Sequence, residues 1–366
     1  MKDLQFETTP SFIEERISQV NPIAYGKTRN FIDGDVTYLS PYLSRGVLST
    51  KQVFQIVLDR GFQPNSIEKF IQELAWRDYW QQVWKHKKDA INHDLKRPQT
   101  EVEHYEYPIA ILEARTGINA IDDAIEQFYK TGYLHNHVRM YIASICTNIA
   151  HSHWSQPAKW MYYHLLDGDW ASNALSWQWV AGSNSGKKYY ANQDNINKYC
   201  YSDQKDSYLD CSYEELPNLG IPAVLETTTP FNLTTPLPDK KNIAIDPDLP
   251  TFLYNYYNLD PNWHKEKKGN RVLLLEPSHF ERYPIGKKAV DFMLGLAQNI
   301  NDIQVYVGEY SSLQKEVGAG TIYFKEHPTV SHYQGNQEAR DWMFTVEGYF
   351  PSFFAFWKRC KKEIMW

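Results

Sequence analysis

The chain has 366 residues, 42% of them hydrophobic and 22% charged, the composition of an ordinary globular protein long enough for one or two cores. A formal net charge of −6 excludes a generally polyanion-binding surface, so any nucleic-acid site must be a local basic patch. Twelve Trp, 26 Tyr and 17 Phe are the compositional anomaly, enough to stack on bases or a planar cofactor as well as to fill a core. No apolar run is long enough to span a bilayer, no signal peptide is evident, and the four cysteines lack metal-ligand spacing. A cytoplasmic protein with no metal site and no membrane partner is expected.

In chain order, residues 11 to about 200 read as helical. SIEKFIQELAWRDYWQQVWKH puts Phe70, Leu74, Trp80 and Val83 near one stripe. GINAIDDAIEQFYKTG repeats the pattern with Ile118, Ile121 and Ile125, and Gly132 offers a stop. Residues 201–265 are expected as an extended linker or wrap, rich in Pro, Thr, Asp and Asn as in PFNLTTPLPDKKN. After Asn270 the period changes. RVLLLEP, DIQVYVGEY and GTIYFKEH read as strands and KKAVDFMLGLAQNI as a helix between the first two, a small parallel α/β unit over 266–366. The aromatic run WMFTVEGYFPSFFAFWKRC is expected to pack back on the body. The fold class is therefore mainly α: a helical domain over 1–200, a linker, and a small C-terminal α/β unit. No glycine-rich phosphate loop supports a dinucleotide fingerprint.

Chemistry concentrates between Tyr133 and Trp179, where HNHVRM and DGDWASNALSWQW mix amides, charges and indoles. Asn136, Arg139 and Met140 share one helical face. The Asn136 amide both donates and accepts, which suits a heterocycle whose ring nitrogen changes protonation. Arg139 could pair with Asp167 or Asp169; either aspartate could instead accept from ribose hydroxyls or an imide N–H. Glu73, Trp76, Arg77 and Trp80 share another face, a carboxylate and a guanidinium beside a stacking plane. Alone, that segment reads as a surface ion pair on a core helix.

Together these residues resemble the photolyase/cryptochrome family. HNHVRM followed by DGDWASNALSWQWVAG is similar to its flavin-binding core, and three further segments agree: YGKTRNFIDGDVTYLSPYLSRGVLS, IQELAWRDYW and TGINAIDDAIEQFYKTGYLHN. The resemblance covers roughly residues 20–195. It implies a photolyase-like all-helical domain that binds FAD. Tyr25, Thr37, Leu39 and Ser40 would line the phosphate end, and Phe70 and Arg77 would also touch the cofactor. Asn136 would face the flavin N5, Arg139 would pair with Asp167, and Asp169 and Asn173 would hold the isoalloxazine edge. Glu73 would bond the damaged pyrimidines, with His137 and Met140 beside them and Trp76 and Trp179 sandwiching the flipped dimer. Trp154 and Trp177 match the inner members of an electron-hopping chain.

Departures from the pattern are specific. Phe70 stands where relatives often carry Trp, and His137 where many repair members carry Arg. The outer relay Trp has no counterpart, and the nearest aromatics are Tyr105 and Tyr107. The chain begins almost at the flavin domain, so a short or rearranged relative that lacks the N-terminal antenna domain is expected, with a second chromophore left open. Arg29, Arg45, Lys187, Lys188 and Lys198 lie near the expected cleft, and each singly reads as solvated surface charge. The expected function is blue-light-driven repair of cyclobutane pyrimidine dimers in DNA by a monomer, preferring single strands because base flipping costs least there. The alternatives are a cryptochrome-like FAD photoreceptor without repair activity and a helical binding module with a vestigial flavin site.

Overall fold

The computed structural model describes residues 4–318 and 320–364; the outer ends of the first and last expected domains, 1–3 and 365–366, lie outside the described residues. The chain divides into two compact units, both discontinuous in sequence. The first comprises residues 4–5, Ala24–Val36 and Lys87–Leu233; the second comprises Phe6–Ile23, Thr37–His86 and 234–364.

The first unit is helical. Asn119–Thr131 buries Ile121, Ala124, Ile125 and Phe128 at helical spacing. The N–H groups of Thr116 and Gly117 donate to the Asp122 carboxylate at 2.7 and 3.2 Å, fixing the chain just before this helix. Gly132 closes it in the left-handed region, with φ 70°. A side chain there would be strained and would run into Leu166. The Asn136–Ser144 helix follows and passes into a π turn over Ile145–Ile149. The buried Asn148 amide ties that turn to the carbonyls of Val180 (3.1 Å) and Tyr189 (2.8 Å). Ser155–His164, Trp170–Val180 and Gln193–Cys200 complete the set of longer helices. A short antiparallel ladder pairs β1 (Tyr107–Pro108) with β2 (Thr228–Thr229), so part of the Pro- and Thr-rich stretch is bonded to this unit.

The second unit contains a five-stranded sheet, parallel throughout, in the order β5-β4-β3-β6-β7. Its strands are β3 (Thr251–Tyr254), β4 (Asn270–Leu275), β5 (Ile303–Val307), β6 (Ile322–Lys325) and β7 (Asn336–Glu338). Every residue of β3 and β4 is buried, which is why these segments are continuously apolar in their centres rather than alternating. Leu253, Val272, Leu274, Tyr306, Leu313 and Phe324 share one core. Helices Lys287–Ala297 and Tyr310–Val317 make the crossovers that parallel pairing requires.

The sheet corrects the expected fold class. The chain is mixed α/β, not mainly α with a small appendage. The central strand, β3, lies in the stretch expected as linker. It is four residues long and follows a proline, too short to stand out as a pattern, while β7 is polar and largely exposed.

Around the sheet the second unit adds helices Pro10–Ser18, Ser40–Ser44, Thr50–Asp59, Glu68–Lys87 and Phe353–Cys360. Thr50–Asp59 begins in a capping box: the Ser49 hydroxyl accepts from the Gln52 N–H (3.0 Å), and the Gln52 side chain accepts from the Ser49 N–H (2.8 Å). Gly46 (φ 66°) lets the chain leaving Ser40–Ser44 press against the Tyr257 carbonyl, where no Cβ fits. None of the four cysteines is bridged, and among the described residues no helix is long and apolar enough to cross a membrane.

Candidate functional site

The first unit carries the Asn136 helix and the DGD turn. The helix begins at His135, whose Nδ1 accepts from the His137 N–H at 3.2 Å. Burial, helped by neighbouring His137 and Arg139, pulls the His135 pKa down to about 4, so the ring stays neutral and able to accept. Asn136 then sits at the first helical position with its side chain exposed. One turn later, Arg139 Nε donates to the Leu134 carbonyl (2.8 Å), and its Nη2 donates to both Asp167 oxygens (3.0 and 2.9 Å). Asp169 is engaged elsewhere, where its Oδ1 accepts from the Ser172 N–H (2.8 Å) and caps Trp170–Val180. Asn173, also buried, donates to the Ala158 carbonyl (2.8 Å). The structure thus decides between the two aspartates left open as partners of Arg139.

Tyr25 and Met140 are half-buried, and Trp179 is 40% exposed beside Tyr189 (ring centroids 5.8 Å apart). The half-buried His137 ring packs on Tyr199 (4.6 Å) and Tyr141 (5.0 Å). Burial, then Arg29, holds its pKa below the ordinary histidine value, so it brings no charge at neutral pH.

Trp154 and Trp177 are both buried. The Trp154 indole N–H donates to Asp94 Oδ1 (2.8 Å), and its ring packs on His153 (5.7 Å). His153 in turn stacks on Tyr105 (4.7 Å, 26°), which is 62% exposed. A run of rings therefore leads from a buried indole to the surface. Tyr107 takes no part, being buried with its hydroxyl directed at Gln156 (3.4 Å).

The second unit carries the remaining expected residues. Thr37 Oγ1 accepts from the Leu39 N–H (3.3 Å) across Tyr38, which has φ 53°; Leu39 is buried and Ser40 opens the Ser40–Ser44 helix. On Glu68–Lys87, Phe70 is buried, Glu73 pairs with Lys69 (2.9 Å), and Arg77 donates to the Ser44 hydroxyl (2.8 Å). Trp76 stacks on Phe353 of the C-terminal helix, centroids 3.8 Å apart and planes 11° from parallel, and tilts against Trp80 (5.1 Å). One face of the expected stacking plane is thus covered within the chain itself.

Among the basic residues, Arg45 needs correction. It is not a solvated surface charge but fully buried, its guanidinium 3.3 Å above the Tyr256 ring. The aromatic face offsets part of the cost of desolvating the guanidinium, and Tyr257 offers a second ring at 5.3 Å. Lys188 pairs with Glu101, and the Lys198 ammonium lies 5.2 Å from the Tyr199 ring centre. Three residues with direct contacts to the expected site had no pattern to reveal them: Asp94 in a short irregular segment, Phe353 near the chain end, and His135, an uncommon capping residue.

An exposed carboxamide beside a fixed guanidinium–carboxylate pair suits the edge of a polar heterocycle, and the Thr37 and Ser40 hydroxyls are suitable donors to phosphate oxygens. Comparison with known proteins follows that chemistry. Residues 70–253, about half the chain, match the FAD binding domain of DNA photolyase. A deoxyribodipyrimidine photo-lyase of Streptomyces griseus is 34% identical over 157 residues, 41% of this chain and 33% of that protein. Cryptochrome-1 of Arabidopsis thaliana is 26% identical over 188 residues, 47% of this chain and 27% of that protein. A solved Synechocystis cryptochrome aligns over 54% of this chain and 44% of its own, at 22% identity and a TM-score of 0.47. The chain spans about a third of the length of the curated relatives it matches.

Proposed function

Because this chain belongs to the photolyase/cryptochrome family through its FAD-binding domain, we propose that it is a light-driven lyase that splits cyclobutane pyrimidine dimers in DNA, acting as a monomer and preferring single strands. The observation that carries this reading is Asn136: an exposed carboxamide at a capped helix start, one turn from the Arg139–Asp167 pair. FAD held there in its reduced form would supply light-driven one-electron chemistry toward the dimer. The protein's part is positioning. Asn136 would offer its amide to the flavin ring, Asn173 and Asp169 would help hold it, and the Arg139–Asp167 pair sets the helix against the DGD turn. Glu73 offers a carboxylate to the pyrimidine N–H and carbonyl edge, and Trp179 offers a stacking plane worth about 1–3 kcal/mol per base. Single-stranded DNA already has unpaired bases, so less of that stacking is consumed by flipping.

The decisive experiment illuminates the reduced, FAD-loaded protein with a dimer-containing oligonucleotide and follows dimer loss. Loss that requires light and flavin supports the lyase. Normal flavin photoreduction without dimer loss moves the reading to a FAD photoreceptor without repair activity. That second reading is favoured by the Trp76–Phe353 stack and by the uncharged, ring-packed His137.

A further inference from the structure

In the second unit the chain builds its sheet outward from β3 through β4 and β5, then returns past β3 to add β6 and β7. In parallel sheets the crevice at the carboxyl end of such a switch point is where ligands bind. A cavity of about 70 Å³ lies there, lined from the exit of β3 by Asn255, Tyr257 and Asn258 and from the exit of β6 by Lys325, Glu326 and His327. That is room for a group the size of a tetrahedral oxyanion.

The carboxylates around it are already engaged. Asp260 pairs with Lys325 (3.0 Å), and Glu326 pairs with Lys85 (2.9 Å) and accepts from the Trp342 indole (2.7 Å). Asp78 accepts from the Thr50 hydroxyl and the Met343 N–H (both 2.9 Å), and Asp341 accepts from the Ser49 hydroxyl. What remains unmatched is mostly donors. Asn255 uses its Oδ1 to accept from the Tyr257 N–H (2.9 Å), and its Nδ2 has no partner. Asn258 has neither Nδ2 nor Oδ1 paired. His327 Nδ1 lies 2.8 Å from the Thr329 hydroxyl and 3.3 Å from the Thr329 N–H; with Nδ1 accepting from both, the ring proton is on Nε2, which is also unpaired. Burial, with Arg340 and Arg45 nearby, keeps that ring neutral. The three residues are only 6%, 4% and 7% exposed, and polar groups so deeply placed are rarely left unmatched. Lys325 and Arg340 also line the cavity, as does Arg77, a residue expected at the flavin.

We propose that this pocket binds a phosphate group, with Asn255 Nδ2, Asn258 Nδ2 and His327 Nε2 donating to its oxygens and Asn258 Oδ1 accepting from its hydroxyl. The phosphate is either the free ion or the phosphomonoester end of a nucleotide. None of these three residues is among those assigned to the flavin or the dimer.

The test titrates inorganic phosphate, and in a parallel arm adenosine 5′-monophosphate, into the full FAD-loaded chain by calorimetry, reading flavin absorbance on the same samples. Phosphate binding is expected in wild type. Asn258→Asp and Asn255→Asp keep the side-chain shape but face the anion with a carboxylate, and each should weaken binding about tenfold or more. Flavin content should not change, which separates this site from the repair reading. Equal affinity for the two ligands identifies free phosphate, and tighter nucleotide binding identifies the monoester. Absence of binding by wild type with either ligand overturns the proposal. So does undiminished binding in both variants, or loss of flavin together with phosphate. Using two positions guards against a folding defect at one of them.

Discussion

Trp76 and Phe353 lie face to face, ring centroids 3.8 Å apart and planes within 11°. The contact joins the long Glu68–Lys87 helix to the C-terminal helix, so Trp76 has a packing role beside any role in substrate stacking. Phe353→Leu should cost about 1 kcal/mol of stability beyond area loss, the worth of an aromatic pair, and leave dimer-DNA affinity unchanged. Trp76→Ala should lose that stability and also weaken dimer-DNA binding by about tenfold. Thermal melts with fluorescence anisotropy on a dimer oligonucleotide distinguish the two. Equal DNA affinity in both variants would remove Trp76 from the substrate site.

Glu73 is partly exposed and paired with Lys69 at 2.9 Å, so it is available to a ligand rather than sealed into the core. Glu73→Ala should reduce light-driven dimer loss by at least about tenfold, the effect of removing hydrogen bonds to a charged group. Flavin content should be unchanged. Full repair by this variant would show that the carboxylate does not touch the lesion.

The ring sequence Trp154, His153, Tyr105 reaches the surface, where an electron relay through Trp177 and Trp154, if present, would exit. Trp177→Phe and Trp154→Phe should slow flavin photoreduction severely, and Tyr105→Phe should slow it several-fold, because phenylalanine is not readily oxidised while its ring preserves the packing. Transient absorption after a laser flash measures this. An unchanged rate in Tyr105→Phe places the exit elsewhere.

Asp167 is buried, and Arg139 Nη2 donates to both of its carboxylate oxygens. Removing one partner leaves the other charge uncompensated, at about 3–5 kcal/mol. Arg139→Ala should therefore lower the denaturation midpoint and release flavin. Arg139→Met paired with Asp167→Leu should recover most of the stability but not the flavin, if the pair serves the cofactor as well as the fold.

His135 gives the helix start a pH dependence. Its folded pKa, about 4, lies below the unfolded value of 6.5, so the unfolded state binds the proton first. The stabilisation is complete above about pH 6.5 and is lost progressively as pH falls toward 4, on the order of 3 kcal/mol in all. Protonation at Nδ1 also removes the acceptor that caps Asn136–Ser144. Thermal midpoints should fall between pH 7 and pH 4, and His135→Gln should flatten that slope. An unaltered slope would show that other groups govern acid stability.

Much of the helical unit was legible because its signals are local. Ile121 and Ile125 fall on one face of Asn119–Thr131, and Gly132 ends that helix because the chain there turns left-handed. The strand–helix–strand order after Asn270 was readable for the same reason. The central strand β3 was not, because four buried residues beside a proline carry too little pattern to separate them from a linker. Arg45 misled for a different reason: charge alone reads as solvated, whereas the fold lays the Tyr256 and Tyr257 rings against it.

By itself the amino-acid sequence determined the family resemblance, the helical faces that carry Asn136, Arg139 and Glu73, and the need for a partner to Arg139. These depend on residue types repeated over a few turns of chain. Only the tertiary structure decided that Asp167 binds Arg139 while Asp169 caps a helix, that Phe353 covers one face of Trp76, and that Asn255, Asn258 and His327 meet at one end of a parallel sheet. Those outcomes rest on contacts between segments far apart in sequence. Burial there sets the cost of every polar group, and no local spacing records which neighbour will satisfy it.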